Sequence, residues 1–300
     1  MKSGFVSLIG RPNAGKSTLL NRLVGTKLAI VSDKPQTTRN RILGVRNYPD
    51  AQVVYLDTPG IHRPLHRMNV RMVDVALETM REVDVLLLLL DASQRQGRGD
   101  SYVIDLVRDM TVPVFLVLNK IDLMKKSRLL PLIDQCSKLA RFAEIVPVSA
   151  ATGDNVDRLE RAIIDRLPEG EPLYPPDYLT DQPERFFAAE IVREKVLQLT
   201  HAEIPFSTAV IVDRFEEPVE GGKGILTLYC TIVVDRESQK PILVGRGGDM
   251  IKQIGTAARE ELERFFSTRV YLDLHVRVRA EWREDDHMLG EIGVTRKSEG

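Results

Sequence analysis

The sequence predicts an α/β domain with a doubly wound, mostly parallel sheet, followed by an α+β domain. Two observations support this fold class. Up to about residue 167, apolar runs alternate with segments that carry apolar residues at helical spacing, as in βαβ units. Beyond a proline-rich segment, the predicted helices and strands follow a different order. A chain of 300 residues is long enough to form two hydrophobic cores.

The predicted strands of the first domain are nearly continuous apolar runs, which are typical of parallel strands covered on both faces. In chain order they read FVSLI, VVYL, VLLLLLD, VPVFLVLN and EIVPVSA. The helical patterns between them include residues 17–24, 69–81, 102–108 and 129–142. We therefore predict that residues 1–167 form one α/β domain.

Residues 168–183 are predicted to be a linker. The stretch from Leu167 to Pro183 holds five prolines, which favour a stiff, extended chain. The second domain, residues 184–290, is predicted as a helix at about 184–200, strands at 206–215 and 225–235, helices at about 241–266, and a strand at 269–282. Residues 291–300 are polar and are predicted to be a loose tail.

Composition restricts the function classes. The formal net charge is −1, so nucleic-acid binding would require a local basic patch. The two cysteines, Cys136 and Cys230, are far apart and are expected to be reduced core thiols in a cytoplasmic protein. The N-terminus lacks a signal-peptide pattern, and the longest apolar run, Val85 to Leu90, is too short to span a bilayer.

A phosphate-binding loop is predicted at GRPNAGKST, between the first strand and the first helix. Its glycines let backbone N–H groups turn toward phosphate oxygens, and the helix presents its positive N-terminal end to them. Lys16 is expected to reach the β- and γ-phosphates, and the hydroxyl of Ser17 to bind Mg²⁺. The candidate nucleotide-binding residues of this loop are Gly10, Asn13, Ala14, Gly15, Lys16, Ser17 and Thr18.

The base is predicted to be guanine. In the sequence NKID, Asp122 can accept hydrogen bonds from guanine N1–H and from the N2 amine, which adenine lacks. We expect Asn119 to contact the O6/N7 edge and the stem of Lys120 to pack on the base. In the sequence SAATG, which begins at Ser149, the backbone N–H of Ala150 can reach guanine O6. The predicted ligands are therefore GTP and GDP.

The γ-phosphate and Mg²⁺ are predicted to contact two further segments. In YLDTPG, Asp57 can hold Mg²⁺ through water, and the backbone N–H of Gly60 can sense the γ-phosphate. In PQTTRNR, a threonine would complete the Mg²⁺ shell; we predict Thr38, with Thr37 as the alternative. The predicted metal ligands are Ser17, Thr38 and Asp57. The predicted catalytic residues are Lys16, Thr38 and Gly60.

These motifs, in this order and spacing, resemble those of the translation-factor-related GTPases. With KPQTTRNRI and DTPGIHRP included, the N-terminal half resembles the Era family of bacterial ribosome-assembly GTPases. Many Ras-like GTPases carry a glutamine after the glycine of DTPG to orient the attacking water. Ile61 occupies that position, so we expect intrinsic hydrolysis to be slow, or the water to be positioned by another group.

A second predicted site lies in the C-terminal domain. Residues 245–248 form a GxxG turn, through which KH domains clamp single-stranded RNA, and the order α-β-β-α-α-β matches the type II KH arrangement. The alternative explanation of the turn alone is a tight helix–helix connection. The candidate RNA-binding residues of this segment are Gly245, Arg246, Gly247, Gly248 and Lys252.

Two arginines of the last predicted strand are weaker candidates for RNA contact. Arg277 and Arg279 share the polar face of YLDLHVRVRAEW, where the alternative is an ordinary solvated strand face. REKVLQL, residues 193–199, also resembles the first KH helix of Era proteins, with Arg193 and Lys195 as candidate phosphate contacts, and FFAAEIVREKVL and the GxxG segment extend the resemblance. The resemblance then covers nearly the whole chain.

The resemblance implies a GTPase that binds the 3′ end of 16S rRNA and acts in small-subunit assembly and rRNA maturation. We expect a monomer, with peripheral contact to the inner face of the cell membrane. The alternative is a GTP-controlled switch that docks on a membrane or protein through its KH-like domain. A tRNA-modification GTPase is disfavoured, because neither a further catalytic cysteine nor a cofactor domain is visible.

Overall fold

The structure is a computed structural model of the chain, and it describes residues 1–34, 36–61, 66–201, 204–217 and 224–294. Its contacts divide the chain into two units. The first comprises Met1–Leu65 and Asn69–Asp181, and the second comprises His66–Met68 and Gln182–Gly300. Within the described ranges, no helix has the length and apolar character needed to cross a membrane.

The first unit is built on a six-stranded sheet with connecting helices. The strands are β1 (Lys2–Gly10), β2 (Ile42–Asn47), β3 (Ala51–Asp57), β4 (Val85–Asp91), β5 (Val114–Asn119) and β6 (Glu144–Pro147). The helices along this part of the chain are α1 (Lys16–Val24), α2 (Arg67–Thr79), α3 (Arg98–Val107), α4 (Leu129–Ser137) and α5 (Val156–Arg166). Every residue of β3 is buried, which requires cover on both faces of the sheet.

The strand order is β2-β3-β1-β4-β5-β6. All neighbouring strands run parallel except β2, which pairs antiparallel with β3. The predicted doubly wound, mostly parallel sheet is therefore confirmed. β2 was not among the predicted strands, because its buried part, Ile42–Val45, is short and contains Gly44, and the two residues that follow it are polar and exposed. The ends of β1, β3, β4 and β5 meet at one edge of the sheet, which is where ligands bind in such folds.

Most of the predicted linker packs on the first unit. The N–H of Ser3 donates to the carbonyl of Pro168 at 3.1 Å, and the N–H of Val45 donates to that of Leu179 at 2.8 Å. Between them, the side-chain oxygen of Gln52 accepts the backbone N–H groups of residues 173 and 174. The contacts divide the chain after Asp181, whereas the domain limits at 167/168 and 183/184 stay predictions.

The second unit has a three-stranded sheet in the order β7-β8-β9, with β8 antiparallel to β7 and parallel to β9. Its strands are β7 (Thr208–Glu216), β8 (Leu226–Val234) and β9 (Val270–Val278). Its helices are α6 (Glu184–Leu199), α7 (Ile204–Ser207), α8 (Lys240–Val244), α9 (Asp249–Phe266) and α10 (Asp286–Glu291). One buried cluster joins apolar residues of α6, α9 and the three strands.

The last strand is shorter than predicted. It ends at Val278 rather than at residue 282, and Glu281 adopts a left-handed conformation with φ of 55°. Trp282 then lies in a short 3₁₀ turn, fully buried, and its indole N–H donates to the carbonyl of Ser207 at 2.9 Å. Of the predicted tail, Glu291 ends a helix, and residues 295–300 lie outside the described residues.

Candidate functional site

The loop between β1 and α1 approaches the end of β5 closely. Gly15 has φ of +94°, and a Cβ added there would lie 2.2 Å from Nδ2 of Asn119. The same Nδ2 donates to the carbonyl of Ala14 at 2.9 Å. Glycine is therefore required at position 15 both by its backbone conformation and by the proximity of the Asn119 side chain.

Lys16 is held inside this loop. Its ammonium group donates to the carbonyls of Gly10, at 3.3 Å, and Arg11, at 3.0 Å, and the residue is 6% exposed. Burial lowers the pKa of Lys16, although the negative charge of Asp57 opposes the shift. The side chain is thus a buried cation whose present partners are two backbone carbonyls of the phosphate loop.

Ser17, Thr38 and Asp57 come together although they lie on different segments. The Ser17 and Thr38 hydroxyl oxygens are 2.7 Å apart, and both donate to Oδ2 of Asp57, at 2.8 Å and 3.2 Å respectively. Thr37 is oriented differently, since its hydroxyl donates to the carbonyl of Lys34 at 2.6 Å. Between the two candidate threonines, the structure brings Thr38 to the cluster.

This cluster fits a magnesium ion. Oδ1 of Asp57 is buried and accepts no hydrogen bond from the described part of the chain, which leaves one carboxylate oxygen unused. The atoms that would coordinate the ion are all oxygens, the ligand type that Mg²⁺ prefers. Burial raises the pKa of Asp57, although the charge of Lys16 and two hydroxyl hydrogen bonds oppose the shift. A nearby cation would compensate this buried carboxylate.

The remaining predicted phosphate-site residues lie around the same loop. Asn13, Thr18 and Gly60 line one small cavity, together with Lys16, Ser17 and Thr38. The side-chain amide of Asn13 donates to the carbonyl of Asp33 at 2.6 Å. These contacts bring the segment after α1 against the phosphate loop.

Ile61 does not line the small cavity around Lys16 and Thr38, but it borders a separate cavity beside Pro12 and Asn13 of the phosphate loop. The residue is 1% exposed, and its side chain belongs to a hydrophobic core cluster. Its backbone N–H donates to the carbonyl of Gly10 at 3.1 Å. The backbone of Ile61 therefore links the DTPG segment to β1, and its side chain packs in the core.

The Asn119 side chain is hydrogen-bonded within the protein at both ends, and its contact with the guanine edge stays a prediction. Besides its bond to Ala14, its side-chain carbonyl accepts the backbone N–H of Ala150 at 3.0 Å, and the residue is 1% exposed. A direct contact with guanine O6 or N7 could come only from the second hydrogen of Nδ2, since both atoms are acceptors. Asn119 thus connects the phosphate loop to the loop after β6.

Lys120 pairs with a residue that sequence reasoning missed. Its ammonium group donates to Oδ2 of Asp91 at 2.7 Å, where β4 and β5 end side by side. Although partial burial opposes ionisation, hydrogen bonds from Lys120 and Ser93 lower the pKa of Asp91. The sequence did contain a signal for this pair. Asp91 ends the apolar run VLLLLLD, and the next apolar run along the chain is followed directly by Lys120.

The other base-site candidates lie on two adjoining loops. Asp122 is exposed in a 3₁₀ turn that directly follows Lys120. Ser149 and Ala150 are buried, and the hydroxyl of Ser149 accepts the N–H of Thr152 at 3.1 Å. The predicted base-site residues are therefore gathered at the ends of β5 and β6.

The GxxG turn of the second unit joins α8 to α9. Gly245, Gly247 and Gly248 all have positive φ, at 76°, 62° and 88°. A Cβ added at Gly247 or Gly248 would meet no atom within 4 Å, so the outer side of the turn is open. Arg246 and Lys252 are exposed beside it. An anionic chain can approach this turn closely.

The two arginines of the last predicted strand differ. Arg277 is exposed on β9. Arg279, one residue beyond the strand, pairs with Asp285 at 2.5 Å and lies 3.8 Å from Glu291. Arg277 is thus the more accessible cation, whereas a phosphate at Arg279 would compete with two carboxylates.

Arg193 and Lys195 are not placed as the resemblance implied. The Arg193 side chain is 3% exposed and bonds to Glu190 through two nitrogens, at 2.7 Å and 2.6 Å. The Lys195 side chain is 12% exposed and forms ion pairs with Glu194 and Glu261. Both cations are thus engaged in ion pairs with glutamates, of which Glu194 is fully buried, and this placement contradicts their predicted role as exposed phosphate contacts.

Comparison with known proteins gives matches over nearly the whole chain. A family model described as a 50S ribosome-binding GTPase matches residues 5–120, and a KH domain model matches residues 203–283. The chain is 53% identical over 294 residues to the GTPase Era of Geobacter metallireducens, covering 98% of each protein. It is 47% identical to the GTPase Era of Heliobacterium modesticaldum, covering 100% of this chain and 99% of that protein.

Two similar crystal structures carry ligands. An Era variant from Aquifex aeolicus bound to GDP and aluminium fluoride matches with a TM-score of 0.94 and 43% identity, over 99% of this chain and 100% of that one. A complex of Era with MgGDPNP and nucleotides 1506–1542 of 16S ribosomal RNA matches with the same TM-score, identity and coverage.

Proposed function

The chain belongs to the Era family of GTPases, and we propose that its GTPase cycle controls binding of single-stranded 16S rRNA, near the 3′ end, to the KH domain. The observation that carries the RNA assignment is the open GxxG turn, where Gly247 and Gly248 leave room for a phosphate backbone. The role that follows is small-subunit assembly and rRNA maturation. The relative solved with 16S rRNA nucleotides supports this choice over membrane or protein docking.

For nucleotide binding, we assign distinct roles to residues at the sheet edge. Asp122 accepts hydrogen bonds from guanine N1–H and the N2 amine, and the N–H of Ala150 is shared between Asn119 and guanine O6. Lys120, oriented by Asp91, packs its stem along the base. These contacts select guanine over adenine, which has an amine in place of O6.

For the phosphates, Lys16 exchanges its two carbonyl partners for phosphate oxygens, and the N–H of Gly60 contacts the γ-phosphate. Ser17, Thr38 and Asp57 would hold Mg²⁺, which supplies neutralisation of phosphate charge when bound. The buried Ile61 cannot orient the attacking water, so hydrolysis is slow until a backbone group or a partner positions it.

Regulation in this proposal is a coupling between the binding of GTP and the binding of RNA. If GTP strengthens RNA binding by some factor, RNA must strengthen GTP binding by the same factor. Thr38 and Gly60 are the residues through which the γ-phosphate would order its surrounding segments. Linkage fixes only that the coupling is reciprocal, and its size and sign are what the RNA affinities with GDPNP and GDP measure.

The test is the affinity of the full chain for a fluorescent single-stranded RNA that matches a 16S 3′ end. It is measured with GDPNP or GDP bound, for the native chain, Gly247→Asp and Gly247→Asn. Asn and Asp both tolerate positive φ, so the pair isolates the added charge. We expect GDPNP to favour binding, Gly247→Asp to weaken it about tenfold or more, and Gly247→Asn to retain most of it.

Three results would contradict parts of the proposal. Equal affinity with GDPNP and GDP would remove the nucleotide coupling. Equal affinity for Gly247→Asp and the native chain would remove the GxxG turn as the contact. Binding to anionic vesicles with no preference among RNA sequences would favour the docking alternative.

A further inference from the structure

Arg22 contacts the loop that we assign to guanine, although it belongs to none of the sequence motifs. The residue lies in the last turn of α1, and its side chain is exposed. Its Nε donates to the carbonyl of Ala150 at 3.2 Å, and its Nη2 donates to the carbonyl of Ala151 at 2.6 Å. One guanidinium group therefore binds two successive peptide groups.

The loop held in this way is a tight turn. The N–H of Gly153 donates to the carbonyl of Ser149 at 2.8 Å, and the N–H of Ser149 donates to the carbonyl of Asp154 at 3.0 Å. A Cβ added at Gly153 would lie 3.4 Å from Nη1 of Arg22, so the guanidinium packs against this end of the turn as well. Arg22 thus contacts the loop at residues 150, 151 and 153.

The contact constrains the direction of the Ala150 N–H. Asn119 accepts that N–H from one side, while Arg22 fixes the following carbonyl from the other. Because the peptide groups on either side of a Cα are planar, fixing both leaves little rotation at Ala150. An arginine suits this task, since its planar group offers parallel donors to two acceptors, whereas a lysine offers one compact charge.

We propose that Arg22 is a positioning residue for guanine recognition, which holds the Ala150 peptide so that its N–H faces guanine O6. This inference rests on the proposed role of Ala150 in base binding. Its consequence is specific to one atom of the base. Loss of Arg22 lowers the affinity for nucleotides that carry O6 and has little effect on the affinity for a nucleotide that lacks it.

The experiment compares three triphosphates by equilibrium competition against a fluorescent GDP analogue. GTP and ITP both carry O6 and the N1 proton, whereas 2-aminopurine riboside triphosphate lacks both and retains the 2-amino group. The missing N1–H weakens its binding in every variant alike, so the effect of Arg22 is the ratio of variant to native affinity for each nucleotide. The variants are Arg22→Gln, which keeps a good helix former, and Arg22→Lys, which keeps the charge. Arg46→Gln is the control, because Arg46 donates to the carbonyl of Val24 on the same helix and does not touch the loop.

We expect Arg22→Gln to lower the affinities for GTP and ITP about fivefold each, and the affinity for the 2-aminopurine nucleotide less than about twofold. The loss is moderate because the guanidinium is exposed and its interaction is screened by water. Arg22→Lys should lie between Arg22→Gln and the native chain. Arg46→Gln should not change the ratio of GTP to 2-aminopurine affinity.

Two results would overturn the inference. One is an equal loss for all three nucleotides, which would mean that Arg22 supports the fold or the phosphate site. The other is an affinity for all three nucleotides that is the same in both Arg22 variants as in the native chain. Thermal unfolding is measured for each variant. If the melting temperature of Arg22→Gln is below that of the native chain, the inference is judged on the nucleotide affinities of Arg22→Lys.

The same data separate this inference from the proposed function. A native chain that binds the 2-aminopurine nucleotide as tightly as GTP would contradict the assigned guanine contacts themselves. A native chain that prefers GTP, with the same preference in both Arg22 variants, would contradict only the role of Arg22.

Discussion

The backbone N–H of Ala150 donates to the side-chain carbonyl of Asn119 at 3.0 Å, which joins the end of β5 to the loop after β6. The same side chain donates to Ala14 at 2.9 Å. One buried amide therefore connects the phosphate loop to the candidate base loop. Both of its hydrogen-bonding ends are used, so the geometry depends on a donor and an acceptor in one side chain.

Replacing Asn119 with aspartate should disrupt this connection. The variant keeps the acceptor for Ala150 but directs a buried carboxylate oxygen at the carbonyl of Ala14. We expect a loss of about 2 kcal/mol in unfolding free energy and at least about a tenfold loss in GDP affinity. Denaturant unfolding and calorimetric GDP binding measure the two quantities.

Asn47→Asp is the matched control for that change. Asn47 also donates its side-chain amide to a backbone carbonyl, that of Pro176, at 2.8 Å, but it lies at the end of β2. The GDP affinity of the Asn47→Asp variant should equal that of the native chain. An Asn119→Asp chain that binds GDP normally would show that the connection is unnecessary for nucleotide binding.

Thr38→Ala and Thr37→Ala should differ strongly. Thr38 lies 2.7 Å from the Ser17 hydroxyl and 3.2 Å from Asp57, whereas Thr37 bonds to a backbone carbonyl nearby. We expect Thr38→Ala to lower single-turnover GTP hydrolysis at saturating Mg²⁺ by about tenfold or more, and Thr37→Ala by less than about threefold. Equal losses would show that Thr38 has no special role at the metal site.

Lys252→Gln and Lys195→Gln should separate RNA binding from stability. Lys252 is exposed beside the GxxG turn, and its loss should reduce the salt dependence of RNA binding by roughly 0.7 in log–log slope. Filter binding across a range of salt concentrations measures that slope. A slope unaffected by Lys252→Gln would remove this lysine from the interface.

Lys195→Gln should act on the fold instead. Although burial opposes the charge, the hydrogen bond to Glu261 and the charge of Glu194 raise the pKa of Lys195. Its stabilising contribution is present at neutral pH and is lost as the pH rises past about 10.4, where the unfolded lysine deprotonates first. We expect Lys195→Gln to lose about 1–3 kcal/mol of unfolding free energy at pH 7, with an unchanged RNA salt slope.

Ile61→Ala should affect stability more than catalysis. The residue is 1% exposed in a core cluster, so truncation should lower the unfolding free energy by about 2–4 kcal/mol. GTP turnover below the melting temperature should stay within about threefold of native, with Ile61→Val as the milder control. A large fall in turnover for both variants would show that the side chain is needed for hydrolysis.

The two cysteines should be unreactive in the folded chain. Burial raises the pKa of Cys230 to about 12, and nearby Asp213 and Asp273 add to the shift. Burial also raises the pKa of Cys136. Because the thiolate is the reactive form, a disulfide reagent at pH 8 should label both residues only after denaturation. Rapid labelling of the native chain would reveal local opening of a core.

Residue order alone was enough to predict the fold class and to select the candidate site residues. Apolar runs and helical spacings predicted the parallel sheet, and GRPNAGKST, NKID and the GxxG turn are local patterns whose residue types carry their own function. The antiparallel strand β2 escaped prediction because its buried run of four residues is short, contains a glycine and ends in two exposed polar residues. Local backbone preference also could not show that the last strand ends at Val278.

The tertiary structure decided which of these residues meet. It distinguished Thr38 from Thr37 and placed Ile61 in the core. It also buried Arg193, partly buried Lys195 and paired both with glutamates. It also brought Arg22 to Ala150, which lies 128 residues later in the chain. No local pattern encodes these contacts, since they depend on which strand ends lie side by side and on the direction of each side chain there.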